Sequence, residues 1–184
     1  GSARDVDVVG THAYVADLDG GLRVVDISVP TSPSEVGFWD SDYPSAQDVV
    51  VSGDYAYLAD GYNGLTIVDI SNLALPAKVG FLGTDGYARG IAFSGSTVYL
   101  ADYYRGLRVV DVSDPVNPLV LGSEDTPGFA YDVEVGGGFA YVADYDAGLR
   151  VMDVSDPVAP SEAGHCDTPG SAYGVALAGT HAYV

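Results

Sequence analysis

The chain has 184 residues, of which 47% are hydrophobic, and it carries only seven lysines and arginines against 26 aspartates and glutamates. This composition is too apolar for a disordered chain and is typical of one globular domain. The formal net charge of -19 argues against nucleic acid as a partner, because binding to a polyanion depends on basic side chains that neutralise phosphates.

The sequence also argues against a membrane-spanning protein and against a disulfide-stabilised or zinc-stabilised one. No stretch of about 18 apolar residues occurs, so the sequence predicts no membrane-spanning helix and no insertion into a membrane. Cys166 is the single cysteine, which excludes an internal disulfide and a cysteine-rich zinc site. We expect Gly1 and Ser2 to be the remnant of a cloning tag and residues 3–184 to form one repeat domain.

A repeat of about 42 residues runs through the chain, and such a period is typical of repeat architectures. Each copy contains a segment (Ala/Val)-Tyr-(Val/Leu)-Ala-Asp, which ends in turn at Asp17, Asp60, Asp102 and Asp144. The complete repeats span residues 3–45, 46–87, 88–129 and 130–171, and a partial fifth repeat spans residues 172–184.

Each repeat contains four short strand signals. In the fourth repeat, in chain order, they cover residues 131–135, 139–144, 149–154 and 161–165, which are rich in β-branched and aromatic residues and bounded by Gly, Pro, Asp or Ser. No window has helical periodicity. The second and third strands are nearly continuous apolar runs, which indicates that both faces of each sheet are covered.

A β-propeller and a linear β-solenoid would both cover the two faces of such sheets. Four hairpin-linked strands per repeat match a propeller blade, so we expect an all-β, β-propeller-like fold with four four-stranded antiparallel blades and a partial fifth.

The third strand of each repeat carries a family resemblance. It reads GLRVVDIS at 21–28, GLTIVDIS at 64–71, GLRVVDVS at 106–113 and GLRVMDVS at 148–155. These segments resemble the LVIVD repeat, a propeller-forming repeat of bacterial and archaeal proteins that are often exported or attached to the cell surface. The resemblance implies a propeller and an extracellular or cell-surface location in a prokaryote, and it implies no catalytic residues.

Residues that recur in every repeat are interpreted as scaffold. We expect Asp111 to accept hydrogen bonds from backbone N–H groups just downstream, and Asp26, Asp69 and Asp153 to do the same. Asp17, Asp60, Asp102 and Asp144 are interpreted as caps of the turn that follows the second strand. The glycines that end this turn are predicted to have positive φ angles; they are Gly21, Gly64, Gly106 and Gly148.

Two of these turns carry alternate carboxylates, Asp17 with Asp19 and Asp144 with Asp146, and calcium binds to clustered carboxylate oxygens. The turns lack the third acidic ligand and the distal Glu of an EF-hand. We therefore predict no cofactor and no metal, with calcium as the alternative.

The candidate binding site consists of positions that differ between repeats. With the first strand of each blade innermost, two sets of loops emerge on one face beside the central channel, and a varied surface on a rigid scaffold is typical of recognition. Aromatic rings beside carboxylates suit a sugar, a protein or a cationic group. The channel-side candidates are Arg4, Gln47, Arg89, Tyr131 and Tyr173, and the loop candidates are Trp39, Tyr62, Tyr104 and Tyr145.

The sequence contains no nucleophile elbow, P-loop or zinc-protease motif, so we predict that the protein is not an enzyme. The main hypothesis is an interaction scaffold, secreted or on the cell surface, that binds a protein or a glycan. One alternative is self-assembly, most simply as a two-fold dimer, because residues 172–184 leave an unpaired sheet edge. The other is a weak glycoside hydrolase activity that uses carboxylates such as Glu124 and Asp125.

Overall fold

The computed structural model describes residues 1–41, 43 and 45–184, which form four four-stranded antiparallel sheets and one two-stranded sheet. The first sheet consists of β1 (Ala3–Val9), β2 (His12–Asp17), β3 (Gly21–Asp26) and β4 (Ser34–Trp39). The second consists of β5 (Asp48–Ser52), β6 (Tyr55–Ala59), β7 (Leu65–Asp69) and β8 (Ala77–Leu82).

The remaining sheets follow in chain order. The third consists of β9 (Gly90–Ser94), β10 (Thr97–Ala101), β11 (Leu107–Asp111) and β12 (Leu119–Glu124). The fourth consists of β13 (Asp132–Gly136), β14 (Phe139–Ala143), β15 (Leu149–Asp153) and β16 (Ser161–Cys166). The short fifth sheet consists of β17 (Ala176–Ala178) and β18 (His181–Tyr183). The prediction of four four-stranded blades and a partial fifth is confirmed.

The described residues contain no helix, and so none that is long and apolar enough to cross a membrane. In each sheet the strands lie side by side in sequence order. The first strands, β1, β5, β9, β13 and β17, contact one another consecutively, and residues of all five repeats line a common cavity of 430 Å³. The repeats therefore form blades arranged around a channel.

Neighbouring blades share an apolar layer. Tyr57 and Leu58 are adjacent in β6 and point to opposite sides of the sheet, Leu58 into the layer shared with the first blade and Tyr57 into the layer shared with the third. The third and fourth blades pack in the same way, with Val109 against Val142 and Met152. The prediction that both faces of each sheet are covered is thus confirmed for the blades that have two neighbours.

The turns after the third strands form as the sequence predicts. The Oδ1 atom of Asp111 accepts a hydrogen bond of 2.8 Å from the backbone N–H of Ser113. Asp26, Asp69 and Asp153 accept the equivalent bonds at 2.8 to 2.9 Å. A register shift between the third and fourth strands recurs in all four complete blades, for example between Val109 and Val110, and such a bulge increases the local twist.

Two sets of glycines determine local geometry. The turn after the second strand ends in a glycine with positive φ, as predicted, with φ of 82° at Gly21 and 79° at Gly64. A second set in the fourth strands allows close packing of the next blade. A Cβ atom on Gly80 would collide with the carbonyl oxygen of Pro115, which lies in the next repeat. Any side chain there would push the two blades apart.

The two outer faces of the array are uncovered. Val6 is 52% exposed, whereas its equivalent in the second blade, Val49, packs against the first blade and is 4% exposed. Tyr183 is 61% exposed, whereas its equivalent Tyr57 packs against the following blade. Within residues 172–184, Val175 is buried against the fourth blade. The blades therefore form an open array.

Candidate functional site

The five channel-side candidates lie around one cavity. Each comes just before the first strand of its repeat or within the start of that strand, and the consecutive packing of these strands brings the five side chains together. The cavity, which we call the channel mouth, has a volume of 280 Å³, and the candidates that line it are Arg4, Gln47, Arg89, Tyr131 and Tyr173.

Sequence reasoning missed three carboxylates that line the same mouth, Asp5, Asp48 and Asp132. Each directly follows a channel-side candidate, and each accepts a hydrogen bond from a backbone N–H of the next blade. The donors are Val49 at 3.4 Å, Ile91 at 2.8 Å and Val175 at 2.8 Å, respectively. The signal in the sequence is that this position is Asp in three repeats and Gly in the other two, Gly90 and Gly174.

Two of these carboxyls, Asp48 and Asp132, have pKa values above the ordinary value of aspartate. Burial raises the pKa of Asp48 well above its ordinary value, and the neighbouring Asp5 carboxyl raises it further, although the hydrogen bond from Ile91 opposes the shift. Burial also raises the pKa of Asp132. Asp48 and Asp132 therefore bind protons at a higher pH than exposed aspartates do.

An aromatic surface extends from the channel mouth over the adjacent loops. Tyr62 and Tyr87 contact edge-to-face with ring centroids 4.7 Å apart, and Tyr103 stacks on Phe129 at 4.7 Å. Neighbouring rings connect into one chain of contacts. We call this surface the tyrosine face, and it consists of Tyr62, Tyr87, Tyr103, Tyr104, Phe129, Tyr131, Tyr145 and Tyr173.

Arg89 connects the channel mouth to the tyrosine face. Its guanidinium carbon lies 3.9 Å from the ring centroid of Tyr131 and 5.6 Å from that of Tyr103. Arg4, Gln47 and Arg89 also line a second cavity of 230 Å³, together with Tyr62 and Tyr104. The tyrosine face and the channel mouth therefore form one continuous surface.

Two tyrosines of this face have strained backbones. Tyr103 and Tyr145 have φ angles of 44° and 48°, in the left-handed region that favours glycine, and the second repeat has Gly61 at this position with φ of 54°. Such a conformation costs a non-glycine residue about 1 kcal/mol or more and is common at functional sites. Tyr103 stacks on Phe129 and Tyr145 stacks on Tyr131, which holds both rings in place.

Trp39 lies apart from the tyrosine face, although Tyr62, Tyr104 and Tyr145 belong to it. Its half-buried side chain packs against the apolar layer between the first two blades. It also lines a separate cavity of 400 Å³ together with Asp60 and Phe81. The structure therefore distributes the nine candidate residues over two neighbouring regions.

Two of the aspartates that were interpreted as turn caps, Asp102 and Asp144, have a different role. The Asp102 carboxylate is buried, and it accepts hydrogen bonds from Thr84 of the preceding repeat at 2.8 Å and from Arg108 at 3.4 Å. Asp144 is likewise buried between Thr126 at 2.5 Å and Arg150 at 3.8 Å. The turn-cap interpretation is therefore wrong for these two side chains, each of which contacts a threonine of the preceding repeat and an arginine of its own blade.

In the first of the two turns considered for calcium, both carboxylates already have protein partners. Asp17 pairs with Arg23 at 3.5 Å and accepts a hydrogen bond from the backbone N–H of Ser2, and Asp19 accepts one from the Ser2 hydroxyl. Within residues 1–41, 43 and 45–184, no group of three or more His, Cys, Asp or Glu side chains is placed to hold a metal ion.

Comparison with known proteins gives a family and a fold. The LVIVD repeat family matches residues 1–41, 45–84, 85–126 and 127–168. No curated protein matches the sequence. Among solved structures, the computationally designed Ika8 protein is similar with a TM-score of 0.77 and 13% identity, over 98% of this chain and 54% of Ika8.

The computationally designed Ika4 protein is similar with a TM-score of 0.68 and 12% identity, over 82% of this chain and 90% of Ika4. At these identities the similarity bears on the fold alone. The chain thus spans about half the length of Ika8 and most of the length of Ika4.

Proposed function

The chain belongs to the LVIVD-repeat family, and we propose that it is a non-enzymatic interaction scaffold that binds a protein partner, outside or on the surface of a prokaryotic cell. The observation that supports this proposal is the tyrosine face, eight contiguous rings on one side of a repeat scaffold. Two of them, Tyr103 and Tyr145, are kept in a conformation for which glycine would be cheaper.

The composition of this surface suits protein recognition. Tyrosine presents a rigid, amphipathic ring at low entropic cost, and Tyr, Trp and Arg dominate the energetic centres of protein interfaces. Tyr62, Tyr104 and Tyr173 are 72, 57 and 59% exposed, and Arg89 lies beside them in the channel mouth. An exposed apolar patch of this kind is typical of an interaction site.

The ring arrangement favours a protein over a glycan. A sugar stacks on an open aromatic face, but here many faces are already covered: one by Arg89 on Tyr131, another by the stacking of Tyr131 with Tyr145. Tyrosine is also the residue in which antibody binding sites are most enriched. The net charge of -19 favours a basic partner, because complementary charge accelerates association.

The test uses a random peptide library displayed on phage and, in parallel, a glycan array. Peptides selected on the wild-type chain are titrated against Tyr103→Gly and Tyr145→Gly, which remove a ring and relieve the backbone strain. We expect at least a tenfold loss of affinity with an unchanged or higher melting temperature. Phe38→Ala is the matched control, because Phe38 is an exposed ring outside the tyrosine face.

Two results would overturn the proposal. The first is that the selected peptides bind the two glycine variants as tightly as the wild type. The second is that no peptide is selected while a glycan binds and is lost in the variants, which would identify the tyrosine face as a carbohydrate site.

A second candidate function, self-assembly, is favoured by the uncovered faces of the blade array. The face around Val6 is equivalent to surfaces that pack against a preceding blade, and the face around Tyr183 to surfaces that pack against a following blade. Contact between the two faces of different molecules would therefore reproduce a blade interface. Two copies joined twice in this way would form a two-fold dimer.

A further inference from the structure

A cavity of 400 Å³ lies between the first and second blades, apart from the channel mouth. Its wall combines acidic and aromatic side chains with one basic side chain. The residues that matter here are Trp39, Asp40, Asp60, Asn63, Lys78 and Phe81.

Comparison of the repeats shows that the second repeat lacks an arginine that the other three complete repeats have. In the first, third and fourth repeats the aspartate at the end of the second strand or directly after it pairs with an arginine of the third strand of its own blade. The pairs are Arg23 with Asp17, Arg108 with Asp102 and Arg150 with Asp144. In the second repeat the arginine position is Thr66, so Asp60 has no guanidinium partner in its own blade.

The second donor to this carboxylate is also replaced. Asp102 and Asp144 accept a hydrogen bond from a threonine hydroxyl of the preceding repeat, Thr84 and Thr126. The equivalent residue for Asp60 is Ser41, because its backbone N lies beside Gly21 as that of Thr84 lies beside Gly64. The Ser41 hydroxyl donates instead to the backbone carbonyl oxygen of Tyr43, at 3.1 Å.

Asp60 is consequently under-satisfied. It is 1% exposed, and its Oδ2 atom accepts hydrogen bonds from Thr66 at 3.0 Å and Asn63 at 3.1 Å. Its Oδ1 atom is buried and has no hydrogen-bond partner among the described residues. A buried carboxylate oxygen without a donor is unfavourable, so a donor that reached it would be bound tightly relative to its size.

The nearest basic side chain does not supply that donor. The Lys78 ammonium lies 4.4 Å from the ring centroid of Phe81, and it forms no ion pair within 4.0 Å with Asp60 among the described contacts. In the first blade the equivalent ring, Phe38, is covered instead by the guanidinium of Arg23, which also reaches Asp17 and Asp40. A guanidinium can therefore contact ring and carboxylates together in this fold.

We propose that the cavity beside Asp60 is a receptor site for a guanidinium group, supplied by an arginine side chain of the protein partner. That the arginine comes from a protein partner rests on the proposed function. That the cavity binds a guanidinium group rests on the residues of the cavity alone. A planar guanidinium pairs with a carboxylate through two N–H groups, is weakly hydrated and stacks on aromatic rings such as Trp39. In three other repeats of the same chain, the carboxylate equivalent to that of Asp60 already pairs with a guanidinium group.

The probe is N-acetyl-arginine amide, and the neutral comparison compound is N-acetyl-citrulline amide, which has nearly the same shape. Binding is followed by NMR through the side-chain amide signal of Asn63, which donates to Asp60. We expect saturable one-to-one binding of the arginine compound and at least tenfold weaker binding of the citrulline compound. Asp60→Asn should weaken arginine binding at least tenfold.

The decisive variant is Thr66→Arg, which restores the arginine of the other repeats. It should raise the melting temperature, because the buried carboxylate gains its partner, and it should abolish binding of the arginine compound. Thr97→Arg, at the start of β10, is the matched control and should leave binding unchanged. This pair keeps the test valid if Asp60→Asn fails to fold.

Equal binding of the two compounds, no saturable binding of either, or unchanged arginine binding in Thr66→Arg would overturn the proposal. Its failure is distinguishable from failure of the proposed function. Tyr103→Gly should abolish binding of the selected peptides without changing the affinity for the arginine compound. If the cavity does not bind the arginine compound, the peptide binding measured at the tyrosine face is unaffected.

Discussion

The Asp48 carboxylate accepts a hydrogen bond of 2.8 Å from the backbone N–H of Ile91, which lies in the innermost strand of the next blade. The Asp132 carboxylate forms the same bond with Val175, also at 2.8 Å. A single acidic side chain thus links neighbouring sheets at the channel, and the apolar layers behind it cannot separate without breaking that bond.

This arrangement predicts that the protein is more stable in mildly acidic solution than at pH 7.5. Burial raises the pKa of Asp48 and of Asp132 in the folded state, so the folded chain binds more protons than the unfolded chain between the unfolded and folded pKa values. Stability is then present below the unfolded pKa and is lost as the pH rises through the folded pKa. Calorimetry at constant ionic strength should show a higher melting temperature at pH 5 than at pH 7.5.

Asp48→Asn tests the assignment to this residue. The amide oxygen still accepts the bond from Ile91, but it carries no charge to desolvate, so the variant should lose part of the increase in melting temperature between pH 7.5 and pH 5. Asp54→Asn, in the exposed turn before β6, is the control. An identical pH dependence for Asp48→Asn and the wild type would show that Asp48 is not responsible.

Asp111→Ala should destabilise the fold without abolishing ligand binding. The substitution removes the acceptor for the Ser113 N–H, and loss of such a cap costs about 1 kcal/mol. Thermal unfolding measures the loss, and titration of a selected peptide measures binding. An unchanged melting temperature, or a selective loss of peptide binding, would contradict the assignment of this aspartate to the scaffold.

The charge of the chain predicts stabilisation by salt. With 26 acidic and seven basic side chains, repulsion opposes the compact state, and added NaCl screens it over about 10 Å at 0.1 M. The melting temperature should rise to a similar extent with CaCl₂ at equal ionic strength. A much larger rise with millimolar calcium would reveal specific calcium sites, and no rise with either salt would mean that repulsion is insignificant.

The uncovered faces predict that the 184-residue chain self-associates, most simply as a two-fold dimer. Each large apolar side chain left in water forgoes about 1.5 to 3 kcal/mol, which favours contacts that cover Val6 and Tyr183. Light scattering in 0.5 M NaCl should show a dimer for the full chain and a monomer after deletion of residues 172–184. A monomeric full chain under these conditions would rule out the association.

Much of the architecture was determined by the sequence itself. The repeat period, the alternating Tyr57 and Leu58 of β6 and the turn sequence around Asp111 act over a few residues or recur at fixed spacing. Blade number, covered faces and turn chemistry therefore follow from the order of the residues. The channel-side residues were predictable for the same reason, since each occupies one position of a repeat.

The contacts between side chains of different blades, by contrast, depend on how the blades pack. Asp102 was predicted to cap its own turn, yet its partner Thr84 comes from the preceding repeat, and the bond from Ile91 to Asp48 also joins two repeats. The Asp60 oxygen that lacks a donor among the described residues, and the strained backbones of Tyr103 and Tyr145, likewise depend on how the blades pack. A repeat period predicts which residues each copy contains. The distance and orientation between copies arise from the packing of their apolar faces. The candidate sites form at these contacts between copies, and the period alone therefore does not predict them.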